Sequence, residues 1–311
     1  MSVAIRELTP ELARVAREEL NEVPERIPED LQAFREWIRK QPHLRARTDD
    51  QFLVGFLRGC KWSLERAKEK IDCYYTARTI VHEVMSPRDP QLERNLEVLR
   101  LGYLVPLPDS EFPHSPRVVL VRYGCYDPMK FSIVDVIRLS VMIGDLMHLE
   151  DDRRVCAGEL CLFDMENTSM MHFLQVTPML MKKFAMLTQE AAPVRQKGFH
   201  FFNTASGFEV AFGAFRNLMK EKARQRFQVH SNGLDSIVKL VPKRILPKEY
   251  GGEGGSVEEI LKFWEKKLLD NREYLMSEVN YGVDEEKRPG KNKTVQEIFG
   301  AQGSFRKLEI D

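Results

Sequence analysis

Residues 131–149, FSIVDVIRLSVMIGDLMHL, constrain the fold more than any other stretch of the chain. Ile133, Val134, Val136, Ile137, Leu139, Val141, Met142, Ile143, Leu146 and Met147 cover most of the circumference of a helix. A surface helix shows one apolar stripe, so a helix apolar nearly all round is buried on two sides. One side has a sheet to rest on, and the other must face something else apolar. Ile137, Ser140, Val141 and Gly144 fall on one face, where Ser140 and Gly144 make the surface locally small. Such a notch has two readings, close packing of another helix or room for a guest. No uninterrupted apolar run in the chain approaches 18 residues, so no transmembrane helix is expected.

The pattern around this helix gives the fold class. Through residue 100 apolar side chains recur at helical spacing, as in Leu31, Phe34, Trp37 and Ile38, then Phe52, Leu53, Phe56 and Leu57, then Leu64, Ala67, Ile71 and Tyr74. Asp49 and Ser63 are expected N-caps, and Pro28 a first-turn proline. Four prolines between 106 and 116 mark a connector. Beyond it, short strand-like runs at 118–123, 158–165, 198–203 and 227–230 alternate with helical patterns at 132–149, 170–188 and 208–219. Alternation of this kind predicts crossover connections and a mainly parallel sheet. The expectation is an α/β protein with a helical region over 1–100, an α/β region over 101–277 and a polar tail over 278–311.

Phe208–Met219 is a second oily helix, followed at once by KEKARQRF with Lys220, Lys222, Arg224 and Arg226. Basic residues in a last turn complement the helix dipole. Apolar plus basic is equally the mark of an element that touches anionic lipid. Spacing leaves both readings open.

Several function classes fall away. Lys+Arg and Asp+Glu balance at 47 each, which argues against a polybasic nucleic-acid-binding protein. The charged N-terminus has no secretory apolar core, and Cys60, Cys73, Cys125, Cys156 and Cys161 are scattered and odd in number. Free thiols in a cytoplasmic protein are expected, with no disulfide framework, no metal site and no cofactor. GxSxG, P-loop and HExxH signatures are absent. The glycine-rich 251–255 segment reads as a turn. A lipid hydrolase would need a base beside Ser140 or Thr188, with His148, His172 and His200 the only histidines considered for it. No catalytic residue is assigned.

Several segments together carry a family resemblance: Phe52–Ile71, Tyr126–Ser140 (YDPMKFSIVDVIRLS), Leu162–Asn167 (LFDMEN), Gln175–Phe184 (QVTPMLMKKF), Pro193–Asn203 (PVRQKGFHFFN) and Leu246–Gly255 (LPKEYGGEGG). In this order, over about residues 30–277, the chain resembles the CRAL-TRIO lipid-binding and lipid-transfer family. Within it the chain looks most like the tocopherol-transfer and retinaldehyde-binding branch. The resemblance implies a helical CRAL-TRIO-N domain, then a lipid-binding α/β domain with an apolar cavity and a gate helix. It implies a cavity wall of Val121, Ile137, Ser140, Val141, Gly144 and Leu162, continued by Phe184, Leu187, Thr188, Ala192, Val194 and Phe199. Phe208, Phe212 and Phe215 would face ligand from the gate.

The resemblance also implies a phosphoinositide site at Arg195, Lys222 and Arg226, with Lys197 and Arg224 nearby. Cys60 stands where the branch has an arginine, and Lys61 is the neighbouring substitute. In the pocket, Asn167-Thr168-Ser169-Met170, Ala192 and Gly144 depart from the tocopherol protein and widen or reshape the space. The function implied is a monomeric, cytosolic carrier of a small lipophilic ligand, transiently peripheral at anionic membranes. The alternatives are a lipid-sensing signalling adaptor and, last, a lipid-modifying enzyme.

Overall fold

The computed structural model describes residues 5–109, 112, 114–205, 208, 221–293 and 298–299, and within them not the side chains of 222 and 223. The chain opens with helices α1 (Pro10–Leu20) and α2 (Ile27–Arg39), a two-residue strand β1 (Leu44–Arg45), and helices α3 (Asp50–Gly59), α4 (Leu64–Ile80), α5 (His82–Met85) and α6 (Glu93–Leu101). Asp49 and Ser63 cap α3 and α4 as expected, accepting from the Phe52 and Arg66 amides. Leu31, Phe34 and Ile38 of α2, Phe52, Leu53, Phe56 and Leu57 of α3, and Ile71 and Tyr75 of α4 meet in one buried cluster.

The α/β part follows as β2 (Leu104–Pro106), β3 (Arg117–Arg122), α7 (Ile133–Glu150), α8 (Asp152–Ala157), β4 (Glu159–Asp164), α9 (Met170–Leu174), α10 (Pro178–Ala185), β5 (Gln196–Phe202), α11 (Glu221–Arg226), β6 (Phe227–Val229), α12 (Leu234–Leu240), α13 (Val257–Asp270), α14 (Arg272–Ser277) and β7 (Gly282–Val283). Strands β2 to β6 form a sheet in chain order. The β3–β4, β4–β5 and β5–β6 pairs are parallel and β2–β3 is antiparallel. A helical region followed by a mainly parallel sheet flanked by helices is the expected fold class. Two details differ from the pattern read in the sequence. Pro178 lacks an amide hydrogen and Thr177 caps it, so the 170–188 helix is broken into α9 and α10. Pro106 sits in β2, where an edge strand tolerates its missing donor.

The second surface of α7 is covered by the N-terminal helices. His148 lies edge-on to Phe52 and Phe56, with ring centroids at 5.2 and 5.3 Å. Gly55 permits this approach, because a Cβ there would come within 2.4 Å of the His148 ring. One turn earlier, buried Asp145 takes hydrogen bonds from Arg78 and Arg88, with the Tyr74 hydroxyl at 3.3 Å. Burial would raise the Asp145 carboxyl, but the two guanidinium groups outweigh it and hold it below the usual carboxylate range.

The C-terminal stretch folds back onto the same helices. β7 pairs antiparallel with β1. Arg288 grips Asp72 of α4 at 2.8 and 2.9 Å, and Glu278 takes Arg47 at 2.6 Å and Arg78 at 3.2 Å.

Candidate functional site

Along α7, most side chains are fully buried, while Val134, Ser140, Val141 and Gly144 are half-buried. Val134, buried Ile137, Val141 and Gly144 form one stripe at the i, i+3, i+7, i+10 spacing of a single helix face, with Ser140 at its edge. The Ser140 hydroxyl donates to the Val136 carbonyl at 2.8 Å. At Gly144, the one neighbour an added Cβ would meet among the described residues is the Arg154 guanidinium, at 4.0 Å. Arg154 spans from the Gly144 carbonyl (3.3 Å) to Glu159 at the start of β4 (2.5 Å), tying this end of the stripe to the sheet.

The sheet carries two faces, and register separates them. Val121, Phe163, Phe201 and Val229 pair across β3 to β6 in one row, and Val119, Cys161, Phe199 and Phe227 in the next. These alternate residues share the face that bears Glu159. Leu120, Leu162 and His200 form the intervening row and stand on the reverse face. Leu162 therefore does not share a wall with Val121 and Phe199. Its run, LCLF, is apolar on both faces and offers no alternation by which to tell them apart. Phe163, Phe201 and Phe227, which sequence reasoning missed, stand beside Phe199 and are half-buried like it.

The remaining expected wall lies between β4 and β5. Phe184 is exposed on α10, and Leu187 is buried in the wide turn at 186–191. Thr188 bonds the Phe184 carbonyl at 2.8 Å, and Ala192 and Val194 are half-buried. Lys70 of α4 fastens this turn by donating to the carbonyls of Glu190 (2.8 Å) and Ala192 (3.2 Å). Over α9 and α10, Met170 (71% exposed), Leu174 (66%), Phe173, Met179, Met181 and Phe184 form a run of exposed apolar side chains. Phe208, the one described residue of the expected gate, lies 5.9 Å from the Phe201 ring. Phe212 and Phe215 lie outside the described residues.

Two of the expected basic residues meet around one carboxylate, with Lys61 near Lys197. Glu19 of α1 stands 3.3 Å from Arg195 and 3.6 Å from Lys197. Arg195 also donates to the Cys156 carbonyl. Burial opposes ionisation of Glu19, but the Arg195 hydrogen bond and the Lys197 and Arg195 charges hold its carboxyl below the ordinary range. Burial and the Arg195 charge lower the Lys197 ammonium, Glu19 works the other way, and Lys61 adds to the repulsion. Lys61 and Trp62 both have left-handed backbone, at φ 53° and 59°, as the chain turns out of α3. Arg224 pairs with Glu221 at 3.4 Å within α11, and Arg226 is half-buried at its end. The side chain of Lys222 is outside the described residues. Cys60 is buried, and burial pushes its thiol up to about 11.

The histidines considered as bases are engaged elsewhere. His148 is enclosed by α3, His172 meets the Tyr126 carbonyl at 2.9 Å, and His200 lies 2.9 Å from His230. Among the described residues, no three His, Cys, Asp or Glu side chains come together as a metal ion would require. Among them too, no helix is long and apolar enough to cross a membrane.

The helical N-terminal region and the mainly parallel sheet flanked by helices place the chain among α/β proteins, and its similarities give the class. The chain belongs to the CRAL/TRIO family of lipid-binding and lipid-transfer proteins. Residues 113–252 match the CRAL/TRIO domain, and residues 23–95 match the domain described as Pinta-like, UBA domain. The chain is similar to the alpha-tocopherol transfer protein-like proteins of Mus musculus and Homo sapiens, each 32% identical over 87% of this chain and 78% of theirs. It is also similar to human Clavesin-2, 29% identical over 91% of this chain and 85% of that one.

Proposed function

We propose that the protein is a cytosolic, monomeric, non-enzymatic carrier. It takes a small hydrophobic lipid of the tocopherol, retinoid or carotenoid kind into an internal apolar space and passes it between membranes. One observation carries this reading: apolar side chains stay half-buried along one stripe of α7 and across one face of β4 to β6, joined at one end by Arg154. Elsewhere the fold buries apolar side chains as completely as Phe34, Phe52 and Leu57, so the half-burial here sets this surface apart from the packed core. The similarity to transfer proteins supports the same reading.

The wall in this reading is Val121, Ile137, Ser140, Val141, Gly144, Phe184, Leu187, Thr188, Ala192, Val194 and Phe199. Burying about 400 Å² of lipid at about 25 cal/mol/Å² stabilises the bound state by roughly 10 kcal/mol relative to water. A bilayer is as apolar as the cavity, so most of that cancels in transfer. Shape and a few polar contacts decide affinity, and Ser140 supplies one. The 208–219 segment acts as the lid, with Phe208, Phe212 and Phe215 exchanging ligand for acyl chain. Met170 and Leu174 enter the membrane surface, where burying both is worth about 3 kcal/mol. Lys61, Arg195, Lys197, Lys222, Arg224 and Arg226 hold phosphoinositide phosphates by charge-assisted hydrogen bonds and bias opening toward anionic membranes.

The test is transfer of a fluorescent tocopherol or retinoid from donor to acceptor vesicles. Transfer that scales with protein and accelerates when acceptors contain phosphoinositide is expected. Vesicle binding with no movement of lipid would instead support an adaptor, and a chemically altered lipid an enzyme.

A further inference from the structure

Helix α10 does not end at Ala185 but widens into a π turn over Met186–Ala191, closed by i→i+5 bonds. Turns of this pitch are rare and short, and they recur at functional sites. A helix end leaves its last carbonyls without intrahelical partners. A left-handed glycine often satisfies them, but here Ala192 leaves the turn in extended backbone and Pro193 brings no amide hydrogen. Lys70, about 120 residues earlier in the chain, takes the place of the cap. Its ammonium donates to the carbonyls of Gln189 at 3.4 Å, Glu190 at 2.8 Å and Ala192 at 3.2 Å. An ammonium has three N–H donors, and all three are used on this turn.

A second contact fixes the exit of the turn from the same side. Gly59, at the end of α3, lies against the Pro193 carbonyl, and a Cβ there would come within 2.3 Å of its oxygen. Lys70 occupies this place at a cost. Burial lowers its ammonium, Cys60, Cys73 and Glu190 act the other way, and Arg66 adds repulsion. The helical N-terminal part thus holds the far end of the turn, at 189–193, by one lysine and one close backbone approach. The near end carries residues of the proposed wall. Leu187 is buried, and Thr188 is tied back to the Phe184 carbonyl at 2.8 Å. A helix with 3.6 residues per turn advances about 100° per residue. Absorbing the extra residue of the π turn would therefore rotate α10 by about that angle relative to Ala192 and Val194, and take Phe184 and Leu187 with it.

We propose that Lys70 is a positioning residue for the lipid: by capping the 186–191 turn it keeps the wide pitch and so sets where Phe184, Leu187 and Thr188 stand against Ala192 and Val194. The inference rests on the carrier reading above and adds to its site a residue of the helical N-terminal part.

Titration of the full chain with all-trans-retinol and with α-tocopherol, each followed by its own fluorescence, tests it in wild type, Lys70→Met and Lys70→Arg. Titrations are run well below the thermal unfolding midpoint of each variant, so that only folded chain is compared. Methionine keeps the length and apolar stem and removes every donor. Arginine keeps a charged group with N–H donors for the carbonyls. Lys70→Met should bind the lipid about tenfold more weakly, and Lys70→Arg should stay within about threefold of wild type. A lysine that merely stabilises the fold would lower the unfolding midpoint and leave the affinity of folded chain unchanged. Equal affinity in wild type and Lys70→Met, or an equal loss in Lys70→Met and Lys70→Arg, would overturn the inference while the carrier reading stands. If wild type binds neither lipid, both are overturned. Should Lys70→Met lose cooperative thermal unfolding, Lys70→Gln, which keeps two N–H donors, carries the same comparison with about a threefold loss expected.

Discussion

Replacing Glu19 by glutamine should strengthen the protein's grip on anionic membranes. Glu19 reaches from α1 to Arg195 and Lys197 at 3.3 and 3.6 Å, and Lys61 lies close enough to repel Lys197. The local sum is therefore three positive charges against one negative. Glu19→Gln removes the negative charge and keeps a hydrogen-bond acceptor of nearly the same shape. A basic charge held at an anionic bilayer surface contributes about 1 kcal/mol. One added net positive charge should then raise association with phosphoinositide vesicles about fivefold. The cost to the fold is small, because Glu19 is half-exposed and such ion pairs contribute roughly 0–1 kcal/mol. Arg195 keeps its place through the Cys156 carbonyl. Co-sedimentation with phosphatidylcholine vesicles, with and without phosphoinositide, measures the effect. The gain should be confined to the anionic vesicles and should shrink as salt shortens the Debye length. Equal partitioning of variant and wild type, or an equal gain on neutral vesicles, would refute the reasoning.

Two further outcomes are expected. Val141→Trp, on the half-buried stripe of α7, should obstruct the apolar space and abolish lipid uptake while leaving the thermal unfolding midpoint within a few degrees of wild type; unchanged uptake in a competition assay would count against the pocket. His148 is buried, makes no well-formed hydrogen bond through either ring nitrogen, and is lowered by burial and the nearby Arg154 charge to about 4. Its folded value lies below the unfolded value of about 6.5, so the unfolded chain binds the extra proton and stability is lost as pH falls from about 6.5 toward 4. Urea unfolding at pH 7 and pH 5 should show about 2 kcal/mol of this loss in wild type, and His148→Leu should remove that part of the pH dependence.

What could be read in the sequence was whatever is periodic. The over-apolar 131–149 helix, the caps at Asp49 and Ser63 and the strand–helix alternation beyond 117 all repeat at a spacing that only one kind of backbone satisfies. The face of a buried parallel strand has no such repeat, because both sides of LCLF are apolar, and only the register sets Leu162 on the face opposite Cys161 and Phe163. The counter-ion at Glu19 was equally hidden. It lies 176 residues from Arg195 in the chain, and nothing local to α1 distinguishes that carboxylate from Glu18 or Glu11. The same holds for Arg288 on Asp72, 216 residues apart, which pins a stretch that reads as a polar tail. Burial within an element is written in its own spacing, whereas recognition here depends on which elements meet. The stacked phenylalanine pairs of the sheet join the two levels. Each phenylalanine is an unremarked apolar residue in its own strand, and only the parallel register of β4, β5 and β6 stacks Phe163 on Phe201 and Phe199 on Phe227. A register slip of one residue at β5 would exchange Phe199 and Phe201 for His200 and Phe202, breaking both stacked pairs and putting a histidine on that face.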